Sequence, residues 1–247
     1  ARALVEAKAN IEAVENKGWT AIMFAAQNGH ELCARELIKA KANVNHVLDD
    51  GFSVLMSACQ NGYEKCALAL IEARLPLHGA NVNHATEDGR TALMAACALG
   101  HDVCAQALIE AKANVDATDE ADWAALMYAA QNGHDLCVRA LIQAKANIEA
   151  AENKGWTAIM FAAQNGHWPC ALALIEKGAN VNHSINDGRT ALMQAAKNGH
   201  HLCVRALIEA KANVEHRNNE QWTALLWASS NGHELCARAL IEAGDER

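Results

Sequence analysis

Gly18-Trp19-Thr20-Ala21-Ile22-Met23-Phe24-Ala25-Ala26-Gln27-Asn28-Gly29-His30 is followed along the chain by six variants of itself. The opening turn recurs as Gly51-Phe52-Ser53-Val54, Gly89-Arg90-Thr91-Ala92, Asp122-Trp123-Ala124-Ala125, Gly155-Trp156-Thr157-Ala158, Gly188-Arg189-Thr190-Ala191 and Gln221-Trp222-Thr223-Ala224. Successive copies start 33, 38, 33, 33, 33 and 33 residues apart, and an Asn-Gly-His type marker follows each by ten residues. A fixed period of this size is the mark of a stacked repeat protein.

One period reads as two short helices. Thr20 is a good N-cap for the first, as are Ser53, Thr91, Thr157, Thr190 and Thr223 in their copies. Asn28-Gly29 turns the chain. The second helix starts near His30 and gathers Leu32, Cys33, Leu37 and Ile38 on one face, a helical stripe rather than a strand alternation. Ala42-Asn43-Val44-Asn45 and the polar residues after it form the loop to the next unit.

Composition agrees with closely packed small helices: the 247 residues include 53 alanines and only 11 aromatics. Gly 15 and Pro 2 are too few for a turn-rich β-protein or a disordered chain. No run approaches about 18 apolar residues, so no membrane insertion is expected. A net charge of −8 lacks the footprint of a nucleic-acid binder.

The period and three stretches resemble the ankyrin repeat. Thr20-Ala21-Ile22-Met23-Phe24-Ala25-Ala26 stands for that family's T-P-L-H-x-A-A, Gly29-His30 for its G-H, and Leu37-Ile38-Lys39-Ala40-Lys41-Ala42-Asn43-Val44-Asn45 for its L-L-x-x-G-A-x-V-N. The resemblance covers essentially the whole chain. It implies an all-α ankyrin-repeat solenoid of helix-turn-helix units, a β-hairpin-like finger at each Gly-x-Thr turn, and a concave face lined by fingers and first helices. On this reading residues 1–247 are a single array. A half repeat occupies 1–14, units start near 15, 48, 86, 119, 152, 185 and 218, and a five-residue insertion lies at 74–78. The chain starts without methionine in what reads as mid-helix, so a targeting segment is not assessable. Leu235, Cys236, Leu240 and Ile241 read like any internal repeat, so either a longer array or further capping segments are expected.

Departures from the family pattern carry information. Alanine or Val54 replaces the proline that opens the first helix. Met23, Met56, Met94, Met127, Met160 and Met193 replace the histidine. Lys8, Lys41, Lys112, Lys145 and Lys211 stand where the helix-ending glycine belongs, while Gly79, Gly178 and Gly244 keep it. A left-handed lysine costs about 1–2 kcal/mol relative to glycine. Asp122 and Gln221 replace the turn glycine, and Ala124 removes a cap.

Nothing in the residues points to catalysis, so the chain is not expected to be an enzyme, nor to need a cofactor or metal. Cys33, Cys66, Cys104, Cys137, Cys170, Cys203 and Cys236 share one position on the apolar face of the second helix. Repeats stacked about 8–10 Å apart hold such thiols beyond the ~7 Å that a disulfide spans. Small buried hydrophobes in an intracellular, reducing, cytoplasmic compartment are the expectation. His30, His101, His134, His167, His200 and His233 open second helices in structural roles. His46, His84, His183 and His216 are expected at the surface. No H-E-x-x-H or phosphate-binding glycine loop occurs.

Recognition residues sort into two rows. Trp19, Phe52, Arg90, Trp123, Trp156, Arg189 and Trp222 follow the turn position, and Phe24, Tyr128, Phe161 and Trp227 stand in a second row along the first helices. Tryptophan, tyrosine and arginine dominate interface hot spots, but a tryptophan after the turn can equally brace the neighbouring finger. The finger tips carry eleven acids, Glu15, Asp49, Asp50, Glu87, Asp88, Asp119, Glu120, Asp122, Glu152, Asp187 and Glu220, against Lys17 and Lys154. They are either solvated tips or a rim that steers a basic partner. The expected function is protein–protein recognition of a basic amphipathic segment by the concave finger face. Two alternatives stand: a structural or linker subunit of a large complex, held by its termini, its convex face or a docking loop at Leu75 and Leu77, and a regulatory segment of a longer multidomain enzyme.

Overall fold

The computed structural model describes residues 9–73 and 79–245. Residues 1–8 of the leading half-unit, Lys8 among them, and the insertion 74–78 with Leu75 and Leu77 lie outside the described residues. Among the described residues there are fourteen helices, and no strand is longer than an isolated bridge. First and second helices alternate: α1 Ala21–Gln27 and α2 Glu31–Lys39, α3 Val54–Gln60 and α4 Glu64–Ile71, α5 Ala92–Leu99 and α6 Asp102–Glu110, α7 Ala125–Asn132 and α8 Asp135–Gln143. They continue as α9 Ala158–Asn165 and α10 Trp168–Glu176, α11 Ala191–Lys197 and α12 His201–Glu209, α13 Ala224–Ser230 and α14 Glu234–Asp245.

These helices form two compact units, Ala1–Glu120 and Ala121–Arg247. In the first, α1, α3 and α5 pack in one row and α2, α4 and α6 in another. In the second, α7, α9, α11 and α13 pack in one row and α8, α10, α12 and α14 in another. The core is small-residue and sulfur-rich. Ala26, Cys59, Cys97, Ala130, Ala163 and Ala196, which share one position, are fully buried, and all six methionines are buried beside them. Small side chains let helices approach closely, and unbranched methionines fill the remaining gaps. In the last repeat Leu226 takes the methionine position and Ser229 the alanine position, and both are exposed.

The Asn-Gly-His marker resolves into three separate jobs. Asn28 caps its first helix, its side-chain amide donating to the Phe24 carbonyl at 2.8 Å, and Asn61, Asn132, Asn165, Asn198 and Asn231 repeat that bond. The glycine takes a left-handed φ, as at Gly133 (79°), that other residues resist. It also makes room: a Cβ on Gly133 would meet the His167 ring at 2.5 Å. The histidine then reaches back one repeat. The Nε2–H groups of His167 and His200 donate to the carbonyls of Gln131 and Gln164, each at 3.0 Å.

Each finger is a tight antiparallel turn. Val14 pairs with Thr20, Val47 with Ser53, Ala151 with Thr157 and Ser184 with Thr190, as the hairpin-like finger requires. Asp122 and Gln221 adopt the left-handed turn conformation of the glycines they replace, at φ 62° and 64°.

The caps depart from expectation. Ser53, Thr91, Thr190 and Thr223 accept the amide three residues on, but Thr20 and Thr157 do not, and their buried hydroxyls lack a partner. Met160 instead donates its amide to the Thr157 carbonyl at 3.1 Å, as Met127 does to that of the cap-less Ala124 at 3.0 Å. At the helix ends Lys41, Lys112, Lys145 and Lys211 are left-handed, as their place demands. Gly178 is too, but Gly79 is not, and Gly244 lies inside α14. A glycine in the C-cap register therefore does not by itself end a helix.

Candidate protein-recognition surface

The finger turns are built partly by their own acids. The Glu15 carboxylate accepts the amides of Lys17 (2.8 Å) and Trp19 (3.2 Å), and Glu152 accepts those of Lys154 (2.9 Å) and Trp156 (3.1 Å). Asp50 accepts the Phe52 amide at 2.9 Å, and Asp187 accepts both the amide (3.0 Å) and the guanidinium Nε–H (2.7 Å) of Arg189. The Thr86 hydroxyl donates to Asp88, and that bond, with the nearby Arg90 guanidinium, holds the Asp88 carboxyl below the usual carboxylate range. These acids therefore shape the turn as well as charge it. Glu152 is itself buried.

What the turns present is aromatic. In the first unit the Trp19 ring lies 5.3 Å from Phe24 and 6.4 Å from Phe52, and Arg90 is exposed beside Asp88. In the second, Phe161 is buried between Trp123 at 4.4 Å and Trp156 at 5.2 Å. Tyr128 packs 5.0 Å from Trp123, and the Arg189 guanidinium stands 5.8 Å over Trp156. The Trp222 and Trp227 rings lie tilted at 4.4 Å, with the Lys197 ammonium 4.6 Å over Trp227. Tilted ring pairs of this kind add about 0.5–1.5 kcal/mol beyond their area. Every row tryptophan is half-buried: it packs on its neighbour and keeps a face open.

The two expected rows thus come together within each unit, with Phe161 as the support under two tryptophans. Lys197 was not foreseen. Its signal was available, since it is the only cation in a column that otherwise reads Gln27, Gln60, Ala98, Gln131, Gln164 and Ser230. Gln194 and Trp227 also carry buried donors, Nε2 and Nε1, that have no acceptor.

The histidines expected at the surface have a structural place instead. Nε2–H of His46, His84, His183 and His216 donates to the carbonyls of Gly18, Gly51, Gly155 and Gly188 at 2.7, 2.8, 2.8 and 3.0 Å. Each ties its own finger to the turn of the preceding one. The cysteines are free and, except Cys33, buried. Burial pushes the Cys170 thiol up to about 12 and that of Cys203 to about 11. Spacing between equivalent positions missed one pair: Cys59 and Cys104, from non-equivalent positions, share a thiol hydrogen bond. Among the described residues no cluster of His, Cys, Asp or Glu could hold a metal, and no helix is long and apolar enough to cross a membrane.

A family model described as ankyrin repeats (3 copies) matches residues 1–75, 42–119, 73–151, 115–185 and 183–246. The chain is similar to the human ASB11 ankyrin repeat domain, at 30% identity and a TM-score of 0.80 over 91% of this chain and 98% of that one. It is also similar in fold to the ankyrin repeat domain of Bcl-3, a member of the IkappaB protein family, at 22% identity and a TM-score of 0.75 over 92% and 100% of the two chains. No curated protein matches the sequence.

Proposed function

The chain belongs to the ankyrin-repeat family, whose repeats are protein-interaction modules, and on that premise we propose that its finger row recognises a basic amphipathic segment of a partner protein. The single observation that carries this reading is the aromatic ladder of Trp123, Phe161, Trp156 and Arg189. Its rings are braced from below yet half-open above, which is the pre-organised anchor an interface hot spot needs. Trp19, Phe24, Phe52 and Arg90 give the first unit a related patch, and Tyr128, Trp222 and Trp227 extend that of the second.

Charge favours a basic partner. The finger tips hold eleven acids against two bases. Glu15, Asp50 and Glu152 are fixed by turn hydrogen bonds to backbone amides, while Asp88 and Asp187 pair with Arg90 and Arg189. Such a rim raises the association rate with a cationic segment and lets salt weaken it. An intracellular setting suits nine unbridged thiols. The array carries recognition alone, and any chemistry belongs to its partner.

The test is affinity capture from source cells with cross-linking mass spectrometry. The intact chain is compared with one in which Trp19, Trp123, Trp156 and Trp222 are alanine, after circular dichroism confirms that it is folded. Cross-links on the fingers that vanish in the variant and weaken with salt support the reading. Partners that persist and cross-link to the outer faces of the second helices or to the 74–78 segment would replace it with the structural-subunit reading.

A further inference from the structure

Among the described residues, α10 is the one second helix whose first eight residues carry no charge: Trp168-Pro169-Cys170-Ala171-Leu172-Ala173-Leu174-Ile175. Every other second helix has a charged side chain within its first five residues, at Glu31, Glu64, Asp102, Asp135, Arg205 and Glu234. An acid in the first turn suits the helix N-terminus, and Trp168 gives that up. It gains no packing for it. Its ring is 38% exposed and, unlike those of the other five tryptophans, has no aromatic partner among the described residues. It also stands outside both recognition rows. A residue that breaks a local rule without a gain within the fold points to a role outside it.

The surroundings extend the same surface. Helix α10 packs between α8 and α12. On either side of Pro169 the equivalent positions hold Leu136, 58% exposed, and Leu202, 47% exposed. One turn further the row reads Arg139, Leu172 and Arg205, with Leu172 half-buried and both arginines exposed. The result is an apolar patch across three internal helices with a guanidinium on each flank, and exposed patches of this kind mark interaction sites. In the first unit the same row reads Leu32, Lys65 and Val103, and Glu64 and Lys65 interrupt it.

Charge decides what covers the patch. Arg139 reaches Glu176 and Arg205 reaches Glu209 only at 3.8 Å, between exposed groups, and such pairs contribute little. Asp135 is half-buried at the start of α8. A second copy, related by a two-fold axis through α10, would lay Arg139 of one chain against Arg205 of the other, like charge against like. Carboxylates at both ends of an apolar segment match the two guanidiniums instead.

We propose that this face of α8, α10 and α12 docks an amphipathic helix of a partner protein, with its apolar stripe on Leu136, Trp168, Pro169, Leu172 and Leu202 and a carboxylate at each end for Arg139 and Arg205. Helix layers about 8–10 Å apart put the two arginine positions about 16–20 Å apart. At 1.5 Å per helical residue, the two acids of the partner stand roughly 11–13 residues apart. Pro169 fixes the first turn of α10, and the stiff ring of Trp168 is a pre-organised anchor. The charge recognised here is opposite to that recognised by the finger row, and this face binds whether or not the fingers do.

The probe is a Leu/Ala/Gln peptide of about 18 residues with its leucines on one helical stripe and two glutamates about twelve residues apart. It is titrated into the intact isotope-labelled chain and followed by amide NMR, beside a counterpart with lysine for glutamate. Saturable shifts centred on Trp168, Leu172 and Leu202 are expected from the glutamate peptide, and binding there at least about tenfold weaker from the lysine one. Trp168→His, borrowing the residue that His201 places at the same position, weakens binding at least about tenfold. Arg139→Glu and Arg205→Glu together reverse the charge preference. Circular dichroism checks that each variant is folded. A lone short helix orders at a cost, so the affinity is modest. Three outcomes would overturn the inference: no saturable shift on these helices at about 1 mM peptide, a charge preference that the double reversal leaves unchanged, or peptide-free self-association that Trp168→His abolishes.

Discussion

The ring Nε2 of His183 and the carbonyl oxygen of Gly155 lie 2.8 Å apart, one finger holding the turn of the finger before it. A left-handed glycine leaves its carbonyl outside any helix, and the imidazole from the following repeat satisfies it. His183→Ala is expected to cost about 1–2 kcal/mol, the loss of a half-buried hydrogen bond with its acceptor left behind. His201→Ala, at a position outside both histidine sets, serves as the control with little change. Urea denaturation monitored by circular dichroism reads both, and equal effects would refute the role.

Burial pushes the His167 imidazole below its ordinary value, despite the bond to the Gln131 carbonyl. The folded state therefore prefers the neutral ring. Its contribution is fully present above the unfolded value of about 6.5 and is lost as pH falls from there through the folded value. The urea midpoint should drop on acidification across that window. His167→Tyr, borrowing the residue that Tyr63 places at the same position, should flatten that part of the profile.

Four lysines hold φ angles of 64° to 69° at helix ends, Lys41, Lys112, Lys145 and Lys211. The attraction of a cation to the helix terminus offsets only part of the left-handed strain. Replacing any one by glycine should gain roughly 0.5–1 kcal/mol, seen as a higher thermal midpoint. Gly178→Lys, at φ 93°, should lose at least as much. A lysine-to-glycine series with no gain would mean that the strain is relaxed elsewhere.

Phe24 and Phe161 sit in the same local sequence with opposite burial. Phe161→Ala opens a cavity under two tryptophans and should cost about 3–5 kcal/mol. Phe24→Ala, on an open face, should cost about 1 kcal/mol or less. Guanidinium unfolding of the two single variants makes the comparison, and similar losses would show that the Phe24 face is covered in solution.

Gln194 is buried with its amide nitrogen unpartnered. Gln194→Leu removes the orphan donor and should stabilise the fold by about 1–2 kcal/mol. Urea denaturation reads the gain, and an unchanged midpoint would mean that the buried amide is satisfied by a bound water.

Much of this was legible in sequence because a repeat averages out local ambiguity. Seven aligned copies expose a helical stripe that one copy of Leu32, Cys33, Leu37 and Ile38 could not secure. They also separate framework from free positions, which is how the Trp19–Trp222 row was found. What stayed hidden depends on contacts between unlike positions. His183 reads as a surface residue until Gly155, 28 residues back, is seen to need a donor. Cys59 and Cys104 occupy different positions of the repeat, and the spacing between equivalent positions says nothing about such a pair. Thr20 and Thr157 have cap-forming side chains, yet their hydroxyls make no cap hydrogen bond.

The glycine of each Asn-Gly pair also bears on chemical ageing. Attack of the glycine amide on the asparagine side chain, the route to succinimide and isoaspartate, needs backbone freedom at that link. The next repeat lays a ring over Gly29, Gly62, Gly133, Gly166 and Gly199, from Tyr63, His101, His167, His200 and His233. Nothing comes within 4 Å of the corresponding position at Gly232. The five covered asparagines should therefore lose ammonia more slowly in storage than an Asn-Gly pair that no ring covers.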